Sequence, residues 1–496
     1  MNIADILSPH GETRPALMAG DDSLDYGGLR RRVAETAAGL AARGVRPGDR
    51  VVLMAGTEIA FVVGAFAVWA AGAVLVPVDP TSPPAEIERE LELVEPVFTL
   101  AGGEALGPAG ADALASLLGT PVATPSGTSV PGTDELTTTG AVFAPIGRSD
   151  DDLAALMLTS GTSGRPRAVM LTHGNLAATQ TQLLENPAGV TDENTVALGV
   201  LPLHHIFGLN VTLGTVLRAG GSLVLLPHFH AAESLEVIAD GRITLVTGVP
   251  PMWAAWAAVE GAPPTAFDSV VTVSSGGAAL PERTRLAVKE RFGLDLPEGY
   301  GLTETSGIVS TGAGLPLRPG SVGRVVPGVE MRLVGESGQD VVVGDRGEIW
   351  VRGDNVTPGY WHDPAATVAS LTEEGWLRTG DVGIADEEGY LYLVDRAKDM
   401  INVSGFNVFP AEVERVLMSF PGVGQAVVVG AEDDRSGERV VAHVCPRDGA
   451  ELDPADLDRH CRSNLARYKC PSEFVLADEL PVSPAGKRVR RSLRAD

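Results

Sequence analysis

Leu158-Thr-Ser-Gly-Thr-Ser-Gly-Arg-Pro-Arg-Ala-Val-Met-Leu-Thr-His173 is the stretch on which the reading of this chain turns. Within it, Thr159, Ser160, Gly161, Thr162, Ser163 and Gly164 mix hydroxyls with glycines. Glycine lets backbone N–H groups turn toward an anion, and the hydroxyls add further donors. Arg167 supplies a cation shortly after the last glycine. Apolar runs flank the segment, Leu153 to Leu158 before it and Val169 to Leu171 after it, which predicts a phosphate-binding loop between two strands. It is not the Walker loop, which needs Gly-x-x-x-x-Gly-Lys-Ser/Thr leading into a helix. Taken alone, the six residues also fit a plain Gly/Ser surface turn.

Working outward, the 496 residues exceed the ~250–300 at which a single core stops growing, so at least two domains are expected. Hydrophobic residues at 44% and charged residues at 21% describe a globular protein. A net charge of −26 repels nucleic acid and anionic membranes, so neither is an expected partner. Cys445, Cys461 and Cys470 form no Cys-x-x-Cys pair and no zinc spacing, which predicts free thiols in a reducing cytoplasm. The start, Met1 to Asp5, lacks the basic-then-apolar pattern of a signal peptide. Phe61 to Pro77 carries glycines and falls short of the ~18–20 residues of a membrane span, so it reads as a buried helix and a strand, and no integral membrane segment is expected.

Helical and strand patterns alternate from the start. Tyr26–Arg43 and Glu58–Ala71 have helical spacing, and Arg50–Leu53 and Val74–Val78 read as strands. That alternation predicts an α/β fold with parallel sheets covered by helices. Residues 101–150 read as loose connecting structure. Asn175–Leu184 is an expected helix, and Thr195–Val200, Ser222–Leu226 and Leu245–Val249 are expected strands. Short strands and Gly turns from Ser321 to Tyr392 predict a β-rich subdomain. Behind Asp395–Asp399 comes a βαβ-type module of about 100 residues, a size that suits a small domain. Lys487 to Arg494 is strongly basic.

Taken together, these segments resemble the acyl-adenylate-forming (AMP-binding) superfamily over essentially the full length, from Trp69-Ala-Ala-Gly-Ala-Val-Leu-Val-Pro-Val-Asp79 to Gly486-Lys487. Lys398-Asp-Met-Ile-Asn-Val-Ser-Gly-Phe-Asn-Val-Phe-Pro410 is most similar to fatty-acyl and related aryl-CoA synthetases. The resemblance implies a large N-terminal adenylation domain, 1–397, of two αβ subdomains plus the β-rich subdomain. It also implies a small mobile α+β C-terminal domain, 398–496, with a hinge near Lys398. The implied chemistry is activation of a carboxylic acid, expected to be fatty or otherwise apolar, by ATP and Mg²⁺. CoA, or the phosphopantetheine arm of an acyl carrier protein, then takes the acyl group.

The resemblance also implies site roles. The Thr159–Gly164 loop and Arg167 would hold phosphates, and Thr162 and Glu304 would reach the metal. In Tyr300-Gly-Leu-Thr-Glu304, Tyr300 would stack on adenine, Gly301 would belong to the same nucleotide-binding motif, and Thr303 would bond the α-phosphate. Gly276, Gly277 and Ala278 resemble the adenine-pocket wall, Asp381 the ribose acceptor, and Arg396 a second ribose or phosphate contact. Lys487 matches the lysine that contacts the acyl carboxylate and α-phosphate. Ser404, Gly405 and Phe406 match the thiol tunnel. His205 matches the gate beside the substrate carboxylate, and Met252, Trp253, Val273, Leu302 and Ile308 would wall the acyl pocket, although a core stripe is the commoner meaning of such residues. No Asp follows His205 as in amino-acid-activating relatives, so an α-amino acid is not the expected substrate.

The chain departs from the pattern at three places. Arg167-Ala168 stands where Lys-Gly is usual, Ser163 replaces a Thr, and Asn402 stands where some relatives carry Lys. A planar guanidinium is not a point charge, so the first exchange is not neutral. Other readings are an adenylate oxidase of the luciferase type, suggested by His204-His205, and a non-catalytic nucleotide sensor, which has no need of Lys487. A serine hydrolase is disfavoured, because the Gly-x-Ser-x-Gly elbow is missing.

Overall fold

The computed structural model describes residues 1–82, 84–103, 119–127, 134–138, 140–160, 166–187, 191–240, 242–335, 337–396, 401–403, 406–408, 410–433, 437–447, 449–465, 469–480 and 493. Packing separates two compact units, Met1–Glu330 with Val351–Leu377, and Met331–Trp350 with Arg378–Asp496. The expected hinge at Lys398 lies outside the described residues.

Two mixed sheets organise the first unit. One runs in the order Gly359–Tyr360, Pro166–Thr172, Leu153–Ser160, Val74–Val78, Arg50–Met54, Phe98–Ala101, Val122–Ala123. The other runs Thr272–Ser275, Leu245–Gly248, Val196–Gly199, Ser222–Leu225, Pro15–Ala19, Asp22–Asp25. The strands Arg50–Met54 and Val74–Val78 pair in parallel, Arg50 opposite Val74, and this requires a crossover between them. The crossover is the helix Ile59–Ala70, and every one of its residues is buried. A helix apolar on all sides belongs inside a large core. It packs on the helix Tyr26–Ala42 and the N-terminal turn Ile3–Leu7.

The α/β expectation therefore holds, as do the helix after the phosphate loop and the central strands. That helix starts two residues earlier than its periodicity indicates, at His173. Thr172 caps it, accepting the Asn175 N–H, and the Asn175 side chain accepts the Thr172 N–H in return. The pair of strands Pro15–Ala19 and Asp22–Asp25 escaped the sequence reading. They are short and close one edge of the second sheet.

In the second unit, Val423–Asp433 and Gly437–Pro446 form a long antiparallel hairpin. A βαβ unit follows. Gly437–Pro446, the helix Pro454–Asn464 and Glu473–Leu476 make it, with the two strands parallel. Cys445, Cys461 and Cys470 are free thiols, and burial pushes Cys461 up to about 12. Among the described residues no helix is long and apolar enough to cross a membrane.

Candidate active site

The segment expected to bind phosphate lies between two strands that pair antiparallel. Leu153–Ser160 pairs with Pro166–Thr172, Thr159 opposite Arg167 and Ser160 opposite Pro166. The predicted strand–loop–strand placement is thus correct. Gly161, Thr162, Ser163 and Gly164 themselves lie outside the described residues. At the root of the loop the Thr159 hydroxyl donates to the Arg167 carbonyl at 3.4 Å. The Arg167 guanidinium lies 5.3 Å above the ring of Tyr360, and its Nε is 3.5 Å from Asp363 Oδ2.

Tyr300 ends the short strand Gly299–Tyr300, and Thr303–Thr305 form one 3₁₀ turn behind it. The chain is tightly folded here. A Cβ on Gly301 would collide with the carbonyl oxygen of Gly307. Ser306 adopts φ +53°, a conformation that side chains other than Gly rarely take. Such strain persists only where surrounding contacts over-determine it. Those contacts are present. Asn355, wholly buried, donates both amide protons, to the Thr305 carbonyl at 2.9 Å and the Ile308 carbonyl at 2.8 Å. The Ser306 hydroxyl donates to the Asn355 carbonyl at 2.9 Å, and Asn210 Nδ2 donates to the Ser306 carbonyl at 3.0 Å.

The outcome is a fixed Glu304. The Thr357 N–H donates to its carbonyl at 2.8 Å, and the Tyr360 hydroxyl donates to its Oε1 at 2.8 Å. Burial and the adjacent Glu304 charge push the Tyr360 phenol well up, so it stays a donor at every working pH. A half-buried carboxylate with one oxygen so held retains lone pairs for a hard divalent cation such as Mg²⁺.

The adenine-wall candidate lies beside this turn. The Ser275 N–H donates to the Pro297 carbonyl at 2.9 Å, which brings Ser275–Gly276 alongside the strand leading to Tyr300. The Gly276 N–H donates to the Gly248 carbonyl at 3.1 Å. A Cβ on Gly276 would sit 3.1 Å from the ring of Phe207, so the ring packs on bare backbone. Gly277 has φ +78°, and Gly277 and Ala278 are exposed.

His205 is exposed in the turn that follows the strand Val196–Gly199, its ring 4.5 Å from that of His204. His204 Nε2 is 3.6 Å from Asp79 Oδ2, yet burial outweighs that charge and lowers its pKa, so His204 is neutral near pH 7. A run of wide π-type turns, Phe207–Gly214, follows at once, a geometry common at functional sites. Of the expected acyl-pocket residues, Met252, Val273 and Leu302 are half-buried and Ile308 is buried. Trp253 is placed in the core with 0% exposure, edge-on to Trp256 at 4.9 Å.

In the second unit, Asp381 is 7% exposed and stands opposite Arg396 in the strand pair Leu377–Ala385 and Leu391–Arg396. Phe406 opens the strand Phe406–Val408. Lys398, Ser404, Gly405 and Lys487 lie outside the described residues. Three positions with clear roles in the geometry escaped the sequence reading: Asn355, Tyr360 and Phe207. Phe207 stands two residues past the expected gate His205, whereas Asn355 and Tyr360 carry no local signal of their partner in the 302–308 turn.

Comparison with known proteins identifies the family. The family model for the AMP-binding enzyme matches residues 8–361, and that for the AMP-binding enzyme C-terminal domain matches 412–487. A feruloyl-CoA synthase of Amycolatopsis sp is 37% identical over 502 residues, spanning 98% of this chain and 96% of that protein. A 4-coumarate–CoA ligase of Humulus lupulus is 32% identical over 498 residues, spanning 97% and 91%. Among solved structures, ATP-bound MatB of Rhodopseudomonas palustris superposes with a TM-score of 0.90 at 30% identity, over 99% of this chain and 98% of that one.

Proposed function

The chain belongs to the AMP-binding enzyme family, and from that premise we propose that it is an ATP-dependent acid–thiol ligase acting on an aromatic carboxylic acid. In the first step the acid's carboxylate attacks the α-phosphorus of ATP, giving acyl-AMP and pyrophosphate. In the second, the CoA thiolate attacks the acyl carbon and AMP leaves, giving the thioester. The observation that carries this reading is the Ser275–Pro297 bond, which brings a side-chain-free wall beside the Tyr300–Glu304 turn. Such a wall suits a flat base, and the fixed carboxylate next to it suits a metal–triphosphate.

The physical task of the first step is to bring two anions together. At ~4 Å two unit charges repel by about 4 kcal/mol at an effective dielectric near 20. Relieving that in the transition state is worth roughly three decades in rate. Mg²⁺, when bound, would neutralise part of the phosphate charge. The Tyr360 hydroxyl holds the Glu304 carboxylate and the Thr357 N–H holds its backbone carbonyl, so its orientation is set before substrate arrives. Lys487 is assigned the acyl carboxylate and α-phosphate, and Asp381 the ribose hydroxyls, on their sequence motifs. A lysine on a flexible stem suits a group that must arrive for one step and leave for the next.

The aromatic acid replaces the fatty acid as the favoured substrate. Full-length similarity to proteins named feruloyl-CoA synthase and 4-coumarate–CoA ligase supports it. So does the chemistry of the candidate lining, Phe207, Val273, Leu302 and Ile308, which offers apolar surface and one aromatic face. The test is pyrophosphate release with Mg-ATP across hydroxycinnamic, benzoic, straight-chain and dicarboxylic acids. Each is run without thiol, with CoA, and with a pantetheinylated carrier protein. Sustained turnover that needs CoA and prefers hydroxycinnamates is expected. A preference for straight-chain acids overturns the substrate class, and turnover with the carrier alone overturns the acceptor.

A further inference from the structure

Tyr360 lies at the edge of the seven-stranded sheet, paired antiparallel with the strand that leaves the phosphate loop. Tyr360 stands opposite Val169, and Gly359 opposite Met170. Residues two apart on a strand share a face, so Arg167 and Val169 point the same way. Arg167 therefore reaches over the Tyr360 ring. A planar guanidinium over an aromatic face gains from the ring's negative quadrupole, and it does so better than an ammonium of different shape. Asp363 takes the other side of the guanidinium at 3.5 Å.

The far end of the same ring carries the hydroxyl that holds Glu304 Oε1. Tyr360 is itself fixed. Its N–H donates to the Thr367 hydroxyl at 3.0 Å, and that hydroxyl donates to the Asp363 carbonyl at 2.9 Å. One side chain, 8% exposed, thus spans the distance from the cation at the root of the phosphate loop to the carboxylate of the Tyr300–Glu304 turn.

We propose that Tyr360 is a positioning residue for the adenylation step, its hydroxyl holding Glu304 in the orientation that takes a divalent cation and its ring holding Arg167 in place. This accounts for the departure at position 167. Arginine stands where lysine is usual because the residue is required to stack on Tyr360 and to pair with Asp363 at once. The inference rests on the reading of the protein as a metal-ATP-dependent adenylating enzyme, and its test separates the two.

The measurement is the affinity of the protein for Mn²⁺–ATP, with Mn²⁺ as the probe ion, followed by the water-proton relaxation that the protein adds to that of Mn²⁺–ATP alone. Wild type, Tyr360→Phe, Arg167→Lys and the double variant are compared. In parallel, the Mg²⁺ dependence of pyrophosphate release and the transfer of acyl groups from supplied acyl-adenylate to CoA are recorded. Phenylalanine keeps the ring and removes the hydroxyl, so folding is not at stake. Tyr360→Phe is expected to weaken metal binding roughly tenfold, as for a lost hydrogen bond to a charged group, and to leave transfer from acyl-adenylate unchanged. Arg167→Lys is expected to weaken binding less, and the double variant to lose less than the product of the two. Unchanged metal affinity in Tyr360→Phe overturns the inference, as does an equal fall in metal affinity and thiol transfer, which marks a general packing role. If wild type itself binds no Mn²⁺ with ATP, the functional reading fails instead.

Discussion

The carboxyl group of Glu298 accepts the backbone N–H of Leu280 at 2.9 Å. The bond ties the residue two before Tyr300 to the far end of the segment that begins at Ser275, so both sides of the candidate base pocket share one brace. Glu298 is also 9% exposed, and burial pushes its carboxyl up to about 7 despite that hydrogen bond, with Glu282 adding to the rise and Arg285 opposing it.

A consequence for stability follows from that shift. Between the ordinary carboxylate value and about 7 the folded chain holds a proton that the unfolded chain has lost. Stability from this group is therefore complete below the ordinary value and declines as pH rises through 7. Glu298→Gln keeps an acceptor for Leu280 and removes the titration. The difference in unfolding free energy between variant and wild type is expected to grow from pH 4.5 to 7.5, in favour of the variant, by up to about 3 kcal/mol. A flat difference across that range would count against the buried, titrating carboxyl.

Asn355 spans the strained turn with both amide protons. Asn355→Ala strands two buried carbonyls, those of Thr305 and Ile308. The expected cost is about 3 kcal/mol, read as a lower denaturant midpoint. Adenylation should fall with it, because the turn that carries Glu304 loses the side chain that holds the Thr305 and Ile308 carbonyls on either side of Ser306. A variant with wild-type midpoint would show that the turn is held elsewhere.

Gly301 has no room for a side chain against the Gly307 carbonyl. Gly301→Ala is expected to displace the turn and lower adenylation at least about a hundredfold, as misplacement by an ångström can. Circular dichroism should remain that of the native fold, since the change is confined to one turn. Activity within a few-fold of wild type would remove this turn from the site.

Lys487→Ala should abolish pyrophosphate release while leaving transfer from supplied acyl-adenylate largely intact. Equal loss of both half-reactions would refute its assignment to the first.

Much of the first unit was legible in the sequence because its parallel strands and crossover helices carry long, regular apolar patterns. The hairpin around Thr159–Gly164 showed itself through apolar runs on both sides of a hydroxyl-rich loop. Glu304, Gly276 and Asp381 could be named because short motifs surround them. Asn355 could not, since its partners lie some fifty residues away and a lone asparagine looks like a turn residue. The same holds for Tyr360, whose meaning depends on a strand of two residues at a sheet edge. Trp253 was ambiguous for the opposite reason: an apolar residue reads alike whether it lines a pocket or fills a core. The antiparallel pairing in the second unit was not legible, because two β-rich runs do not announce their relative direction.

The helix Ile59–Ala70 has one more consequence, for biosynthesis. It leaves the ribosome as twelve apolar residues with no polar face of its own. The core that surrounds it includes Ala154, Met157, Val169 and Leu171, from strands made about a hundred residues later. Over that interval the nascent chain carries an uncovered greasy segment near its start. Such segments are what chaperones bind and what aggregates form from. Slowing translation just beyond the hairpin, or supplying a chaperone in trans, should therefore raise the soluble yield of this protein.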